Sequence, residues 1–274
     1  MLNKILDIKY PIVQGGMANI ATASFAAAVS NAGALGTIGT GAMNVDQARE
    51  EIIKCKKLTN KPFAVNVMLM NPYAKEIMEM IAQEKVAVVT TGAGSPGVYM
   101  EMLKQSGAKV FPVVPSVALA IRMEQSGADG VIVEGCEAGG HVGEQTTMAL
   151  VPQVVDAVNI PVIAAGGIAD GRGLNAALSL GAVGVQLGTC LLVSEECPVH
   201  INYKNAVINA KDTDTVVTGR NMNTPVRALK NKMTKEHLKI ESLSTSREDH
   251  ERLTLGSLRK AVFDGDIENG SVMM

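Results

Sequence analysis

Residues 160–189 read IPVIAAGGIADGRGLNAALSLGAVGVQLGT, and this stretch decides the fold. An unbroken apolar run, Pro161–Gly167, leads into a segment of helical character, Gly173–Leu180, and then into a second apolar run, Gly184–Thr189. Apolar runs without alternation suit strands buried on both faces, and two strands joined through a helix run parallel. The same unit recurs along the chain. Further strands are expected at Pro11–Met17, Ala34–Gly39, Phe63–Leu69, Val86–Gly92, Lys109–Ser116 and Gly130–Gly135. Helices are expected at Asn44–Leu58, Pro72–Glu84, Pro96–Ser106, Val117–Ser126 and Met148–Val158. Eight strands whose starts lie roughly 20 to 30 residues apart leave room for one helix in each gap, which favours an α/β chain closed into a (β/α)8 TIM barrel. An open doubly wound sheet is the competing arrangement.

After Thr189 the texture changes. From Leu191 to Met274 the chain is more charged and shows no strand rhythm, so it reads as a helical appendage with an exposed loop near Ser242–Asp249. The expected division is a barrel over 1–195 and an appendage over 196–274 packing on it.

Composition narrows the function classes. Hydrophobic residues make up 47% and charged residues 19%, which excludes a disordered chain. Aromatics are only 3%, with no Trp, which argues against a base-stacking nucleic-acid surface. A net charge of −2 gives no overall basic field for nucleic acid or membrane. No apolar run approaches the ~18 residues of a membrane span. The N-terminus, MLNKILDIKY, carries charges within its apolar stretch and does not read as a signal peptide. Cys55, Cys136, Cys190 and Cys197 form no C-x-x-C pair, so no metal site is expected and a reducing cytoplasm is the default.

In a (β/α)8 enzyme the chemistry sits at the C-terminal ends of the strands. The loops there are rich in glycine: Gly15–Gly16, Gly92 and Gly94, Gly139–Gly140, Gly166–Gly167, and Gly188 before Thr189. The last two follow strands 7 and 8, the usual phosphate site of the fold, where backbone N–H groups and a helix N-terminus favour an anion. Turn formation alone is the competing reading. Gly92–Gly97 also matches G-x-G-x-x-G, but the region about 20 residues on, FPVVPSVALA, holds no acid to read a ribose, so a Rossmann site is rejected.

His141 stands between glycines in EGCEAGGHVGEQTTM, just after strand 6, where an imidazole could donate a proton, orient a carbonyl or bind an anion. Cys136 in the same loop reads as a packed thiol. Asn66, Gln186 and Glu134 stand on otherwise apolar strands and need polar partners, from a cofactor ring or from a structural network. Met17, at the first strand's end, offers a thioether to a flat ring. Arg220, Arg227, Lys230, Lys232, Lys235 and Lys239 face only Glu236 across 220–239, a net of +5 that leaves −7 for the remainder of the chain. Such a cluster is either a solvated helix face or a dock for an acidic partner or phosphates.

These residues also carry a resemblance. YPIVQGGM (10–17), NVML (66–69), TTGAG (90–94), FPVVPSVALA (111–120), EAGGHVG (137–143), LVPQVVDAV (150–158), IPVIAAGGIADG (160–171) and QLGT (186–189) together are similar to FMN-dependent (β/α)8 oxidoreductases. That superfamily includes the nitronate monooxygenases and the bacterial enoyl-acyl-carrier-protein reductase II. VVPSVALA, EGCEAGGHVG, TTM and VRALKN look most like the enoyl reductase. The resemblance implies FMN, its phosphate on Gly166, Gly167, Gly188 and Thr189. Its ring would lie near Gly16, Met17, Asn66, Gly92, Glu134, Gly139 and Gly140, with Gln186 close by. It implies that His141 is the active-site histidine. The implied reaction is reduction of a trans-2-enoyl thioester of fatty-acid synthesis by NADH or NADPH through the flavin, with nitronate oxidation by O2 as the alternative. It further implies acyl carrier protein as partner, allows a monovalent cation, and leaves room for a homodimer. Chains of the family usually run on past G-S-V-M into a further helical segment, so the appendage is expected to be cut short here.

Overall fold

The computed structural model describes residues 1–243 and 247–274, and the chain forms two compact units. The first comprises Met1–Cys136 and Glu144–Leu187. Its strands are β1 (Ile12–Gln14), β2 (Gly36–Gly39), β3 (Phe63–Met68), β4 (Val88–Gly92), β5 (Lys109–Val114) and β6 (Val131–Glu134). After β7 (Gly140–His141), which belongs to the second unit, come β8 (Val162–Ala165) and β9 (Gly184–Leu187). The eight strands of the first unit pair in parallel in the order β1-β9-β8-β6-β5-β4-β3-β2. A single parallel bridge, Val13 to Leu35, joins the two ends of that order. The TIM-barrel expectation holds, and the open sheet and the Rossmann reading fall with it.

The helices of this unit are α1 (Leu2–Leu6), α2 (Ala23–Ala32), α3 (Val45–Leu58), α4 (Ala74–Gln83), α5 (Met100–Gln105), α6 (Val117–Gln125), α7 (Thr147–Ala157) and α8 (Gly171–Ser179). Local chemistry sets their starts. Asn44 and Gln47 form a reciprocal capping box at α3, and the side chains of Thr22 and Ser116 accept the Phe25 and Leu119 N–H groups at α2 and α6. Two apolar clusters follow from strand alternation. The outward residues of the strands pack on the helices around Ile38, Val65, Val89, Val110, Val133 and Val185. The inward residues Val13, Leu35, Ala64, Val88, Phe111, Ile132 and Ile163 fill the lower barrel, and α1 adds Leu2 and Leu6 to them.

Several strands end sooner than their apolar runs. Gly15–Met17, Gly166–Gly167 and Gly188–Thr189 leave the ladder, Gly166 and Gly167 by turning to φ values of 98° and 70° that strands do not adopt. What reads as strand in the sequence is loop at those positions.

The second unit comprises Glu137–Gly143 and Gly188–Met274. It holds α9 (Ile201–Asn209), β10 (Thr215–Thr218), β11 (Val226–Leu229), α10 (Lys232–Leu243) and α11 (Arg247–Thr254). The helices agree with the expected appendage, but the expectation that it lacks strands is corrected. β10, β11 and β7 form an antiparallel three-stranded sheet. Four-residue strands are too short to show a period, and the third member, Gly140–His141, comes from far upstream. The expected loop at Ser242–Asp249 is corrected at its edges: Ser242 and Leu243 close α10, and Glu248 and Asp249 lie in α11. Residues 244–246 lie outside the described residues.

Candidate active site

In the first unit a polar layer lies one step above the apolar plug. Ile132 and Ile163 point into the barrel, so Glu134 and Ala165, two residues on, share that face. Glu134, Ala165 and Gln186 stand side by side on β6, β8 and β9. Ala165 is small and leaves the space between the carboxylate and the carboxamide open. Elsewhere in the barrel, on β3 and β4, Asn66 lies opposite Thr90, and its Nδ2 donates to Thr90 Oγ1 at 3.0 Å. Thr90 has no counterpart among the expected site residues, although its place in TTGAG, inward on an apolar strand, is a readable signal.

Gly16 lies tightly over this layer. A Cβ there would collide with Cβ and Cγ of Asn66, so only glycine lets the β1 loop cross the carboxamide. Met17 continues the loop into a turn, its carbonyl accepting the Ala21 N–H at 2.8 Å. A Cβ on Gly92 or on Gly188 would meet no atom within 4 Å, which leaves room over both.

Glu134 has no hydrogen bond or ion pair among the described residues. Burial pushes its carboxyl up to about 7, with no charged neighbour contributing. A carboxyl of this kind exchanges its proton near neutrality and can present either a donor or an acceptor to a polar group above it.

The loops expected to hold a phosphate lie one in each unit, Gly166–Gly167 in the first and Gly188–Thr189 in the second. The N–H groups of Gly166 and Gly167 have no acceptor among the described residues, and neither do those of Gly188 and Thr189. Thr147, the first residue of α7, fixes the end of β8 by donating to the carbonyls of Ala165 and Gly166 at 3.2 and 3.0 Å. The N-terminal amides of α8 are taken by Asp170, whose carboxylate accepts from Arg172 and Gly173 N–H and also pairs with the Arg172 guanidinium. Two amides at the α8 N-terminus are therefore already taken.

The second unit holds the remaining expected residues. His141 sits on β7, directly opposite Val226 of β11, and Gly140 lies opposite Arg227. The strand is backed by residues 273–274. A Cβ on Gly139 would come within 2.7 Å of the Met274 backbone, and Gly140, at φ 81°, has Met273 Sδ within 3.4 Å of that position. Met273 is anchored in turn, because its carbonyl accepts the buried Tyr203 hydroxyl at 2.9 Å. His141 is exposed, yet surrounding protein lowers its pKa by desolvation. At neutral pH it is a neutral imidazole with one N–H to donate and one nitrogen to accept. Cys136 also carries an interaction in the fold and reads as structural. Among the described residues no group of three or more His, Cys, Asp or Glu side chains could hold a metal ion. No helix among them is long and apolar enough to cross a membrane.

Comparison with known proteins agrees with this geometry. The family model for nitronate monooxygenase matches residues 1–82 and 72–274. A probable nitronate monooxygenase of Staphylococcus saprophyticus is 38% identical over 274 residues, covering 83% of this chain and 77% of the relative. The structure of FabK from Thermotoga maritima superposes with a TM-score of 0.97 at 48% identity, covering 100% of this chain and 87% of that one. A nitroalkane oxidase from Streptomyces ansochromogenes superposes with a TM-score of 0.89 at 28% identity, covering 100% of this chain and 90% of that one.

Proposed function

The chain belongs to the nitronate monooxygenase family, and we propose that within it this protein is an enoyl-[acyl-carrier-protein] reductase, reducing trans-2-enoyl thioesters with NADH or NADPH through bound FMN. One observation carries the choice: likeness to FabK at 48% identity over the whole chain, against 28% to the nitroalkane oxidase. FMN also suits the polar layer. Its phosphate would take the free N–H groups of Gly166, Gly167, Gly188 and Thr189, and its ring would lie over Gly16, Asn66, Glu134 and Gln186. When bound, the flavin would supply two-electron hydride chemistry between the nicotinamide and the thioester.

The chain's own groups do the rest. Asn66, whose Nδ2 donates to Thr90, would have its carboxamide oxygen left to accept from a bound ring. Glu134 holds or releases a proton at its carboxyl near neutral pH. His141, neutral at that pH, donates a hydrogen bond to the thioester carbonyl or passes a proton to the α-carbon. The dry apolar plug below keeps water from entering by the bottom of the barrel.

The second reading, nitronate oxidation with O2, is favoured by the staphylococcal relatives. An anaerobic titration separates the two. Bleaching of the flavin band by NADH or NADPH and its recovery on adding a trans-2-enoyl thioester would support the reductase. Resistance to the nicotinamide together with bleaching by an alkyl nitronate would replace it with the monooxygenase.

A further inference from the structure

We propose that α10 is a dock for an acidic helix of the carrier protein, and that strand β11 is the fixed spacer between that dock and His141; this rests on the reductase reading. Helix α10 buries Met233, Thr234 and His237. Lys232, Lys235 and Lys239 are exposed and stand three and four residues apart, so they form one stripe. None of the three ammonium groups has an ion pair or hydrogen bond among the described residues. Lys230, by contrast, is engaged: its ammonium donates to the Thr213 carbonyl, so it serves the fold.

The link from this stripe to the histidine is rigid. Asn231, between β11 and α10, is buried and bonded on every side. Its Oδ1 accepts the Thr234 N–H at 2.9 Å, its own N–H reaches Thr234 Oγ1 at 2.8 Å, and its Nδ2 donates to the Ile267 and Gly270 carbonyls, each at 2.7 Å. Backwards from Asn231, the chain runs five residues through β11 to Val226, the register partner of His141. At about 3.4 Å per residue that stretch spans at most roughly 17 Å, a distance that a thioester on a long flexible arm can bridge while its carrier stays on the helix. The stripe itself covers about 10 Å of helix, the length of an acidic helix face rather than of an extended nucleic-acid track.

The test uses the flavin-loaded protein and the variant Lys232→Glu/Lys235→Glu/Lys239→Glu, with the triple Ala variant alongside. Binding of an acyl carrier protein is followed by calorimetry at low and high salt, and turnover is compared on carrier-linked and neutral pantetheine-linked enoyl thioesters. The expected result is salt-weakened binding to the parent. The Glu variant should lose about tenfold or more in kcat/KM on the carrier-linked substrate, with little change on the pantetheine thioester and with flavin content and Tm retained. The Ala variant should fall between them. An equal loss on both substrates, no loss on either, or parent binding to anionic vesicles as tight as to the carrier would overturn the dock. If the parent reduces neither thioester, the reductase reading fails, and the binding arm still decides the dock.

Discussion

The carboxamide oxygen of Gln14 accepts the backbone N–H of Thr37 at 3.2 Å. This contact lies where β1 meets β2 and the ladder shrinks to one bridge, between Val13 and Leu35. A side chain there stands in for the missing strand partner, and both residues are fully buried. Gln14→Leu should leave the Thr37 N–H without an acceptor. It also removes the Gln14 Nε2, which has no partner itself, so the net cost is expected near 1 kcal/mol rather than at the upper end of about 1–3 kcal/mol. Urea unfolding checks this: the midpoint should fall with m unchanged, and an unchanged midpoint would show that the contact contributes nothing.

Gly16→Ala should empty the flavin site while leaving the barrel folded. The added methyl meets the Asn66 side chain, which must swing from Thr90. The expected outcome is a far-UV spectrum like the parent's and a clearly lower flavin-to-protein ratio. Full flavin content would remove Asn66 from the ring site.

Glu134 makes stability pH-dependent with an unusual sign. Its carboxyl is raised by burial from 4.5 to about 7, so the folded state holds a proton that the unfolded state releases between those values. Stability therefore falls as pH rises through that window. Glu134→Gln should stabilise the flavin-free protein at about pH 8 by on the order of 1–2 kcal/mol, with the gain shrinking towards pH 5. A gain that is the same at both pH values would mean the carboxyl is not the titrating group.

His141→Ala should keep bound FMN, since the phosphate amides and the polar layer belong to other residues. Reduction of the thioester should fall by about 10²-fold or more, the usual worth of a general acid. Flavin reduction by NADH or NADPH, followed separately under anaerobic conditions, should change far less. Unaltered turnover would remove the histidine from the mechanism.

The second unit should be acid-sensitive at a defined contact. His237 Nε2 and His250 Nδ1 lie 2.7 Å apart, joining α10 to α11, and both rings are buried. Burial lowers the His237 pKa, opposed by Glu241 and reinforced by His250. A depressed histidine contributes its stability above the unfolded value and loses it as pH falls below about 6.5. Hydrogen exchange of α10 and α11 should quicken between about pH 7 and pH 5, and His250→Leu should flatten that dependence. Equal protection at both pH values would contradict it.

The sequence makes some of this legible and hides the rest for physical reasons. The barrel is readable because buried parallel strands are continuous apolar runs, and PVIAAGG and VAVVTTG look like nothing else. Glu134, Asn66 and Gln186 are readable as polar residues where alternation demands apolar ones. Thr147 is not readable in this way, because it is an ordinary helix-start residue until folding brings it against the carbonyls of Ala165 and Gly166. The sheet of β7, β10 and β11 is invisible for the same reason, since no local pattern reports that Gly140 will face Arg227. Lys230 shows a different limit: charge counting groups it with the helix lysines, and only its bond to Thr213 separates it from them.

The short strand bearing His141 finds its neighbour only at Val226, well beyond the last strand of the barrel. A ribosome would have finished every strand of the barrel before that neighbour emerged. A nascent or clipped chain ending before β11 could own all the loop glycines and still lack an ordered imidazole. The pairing that orders this strand would then be among the last to form, made only once synthesis has passed β11.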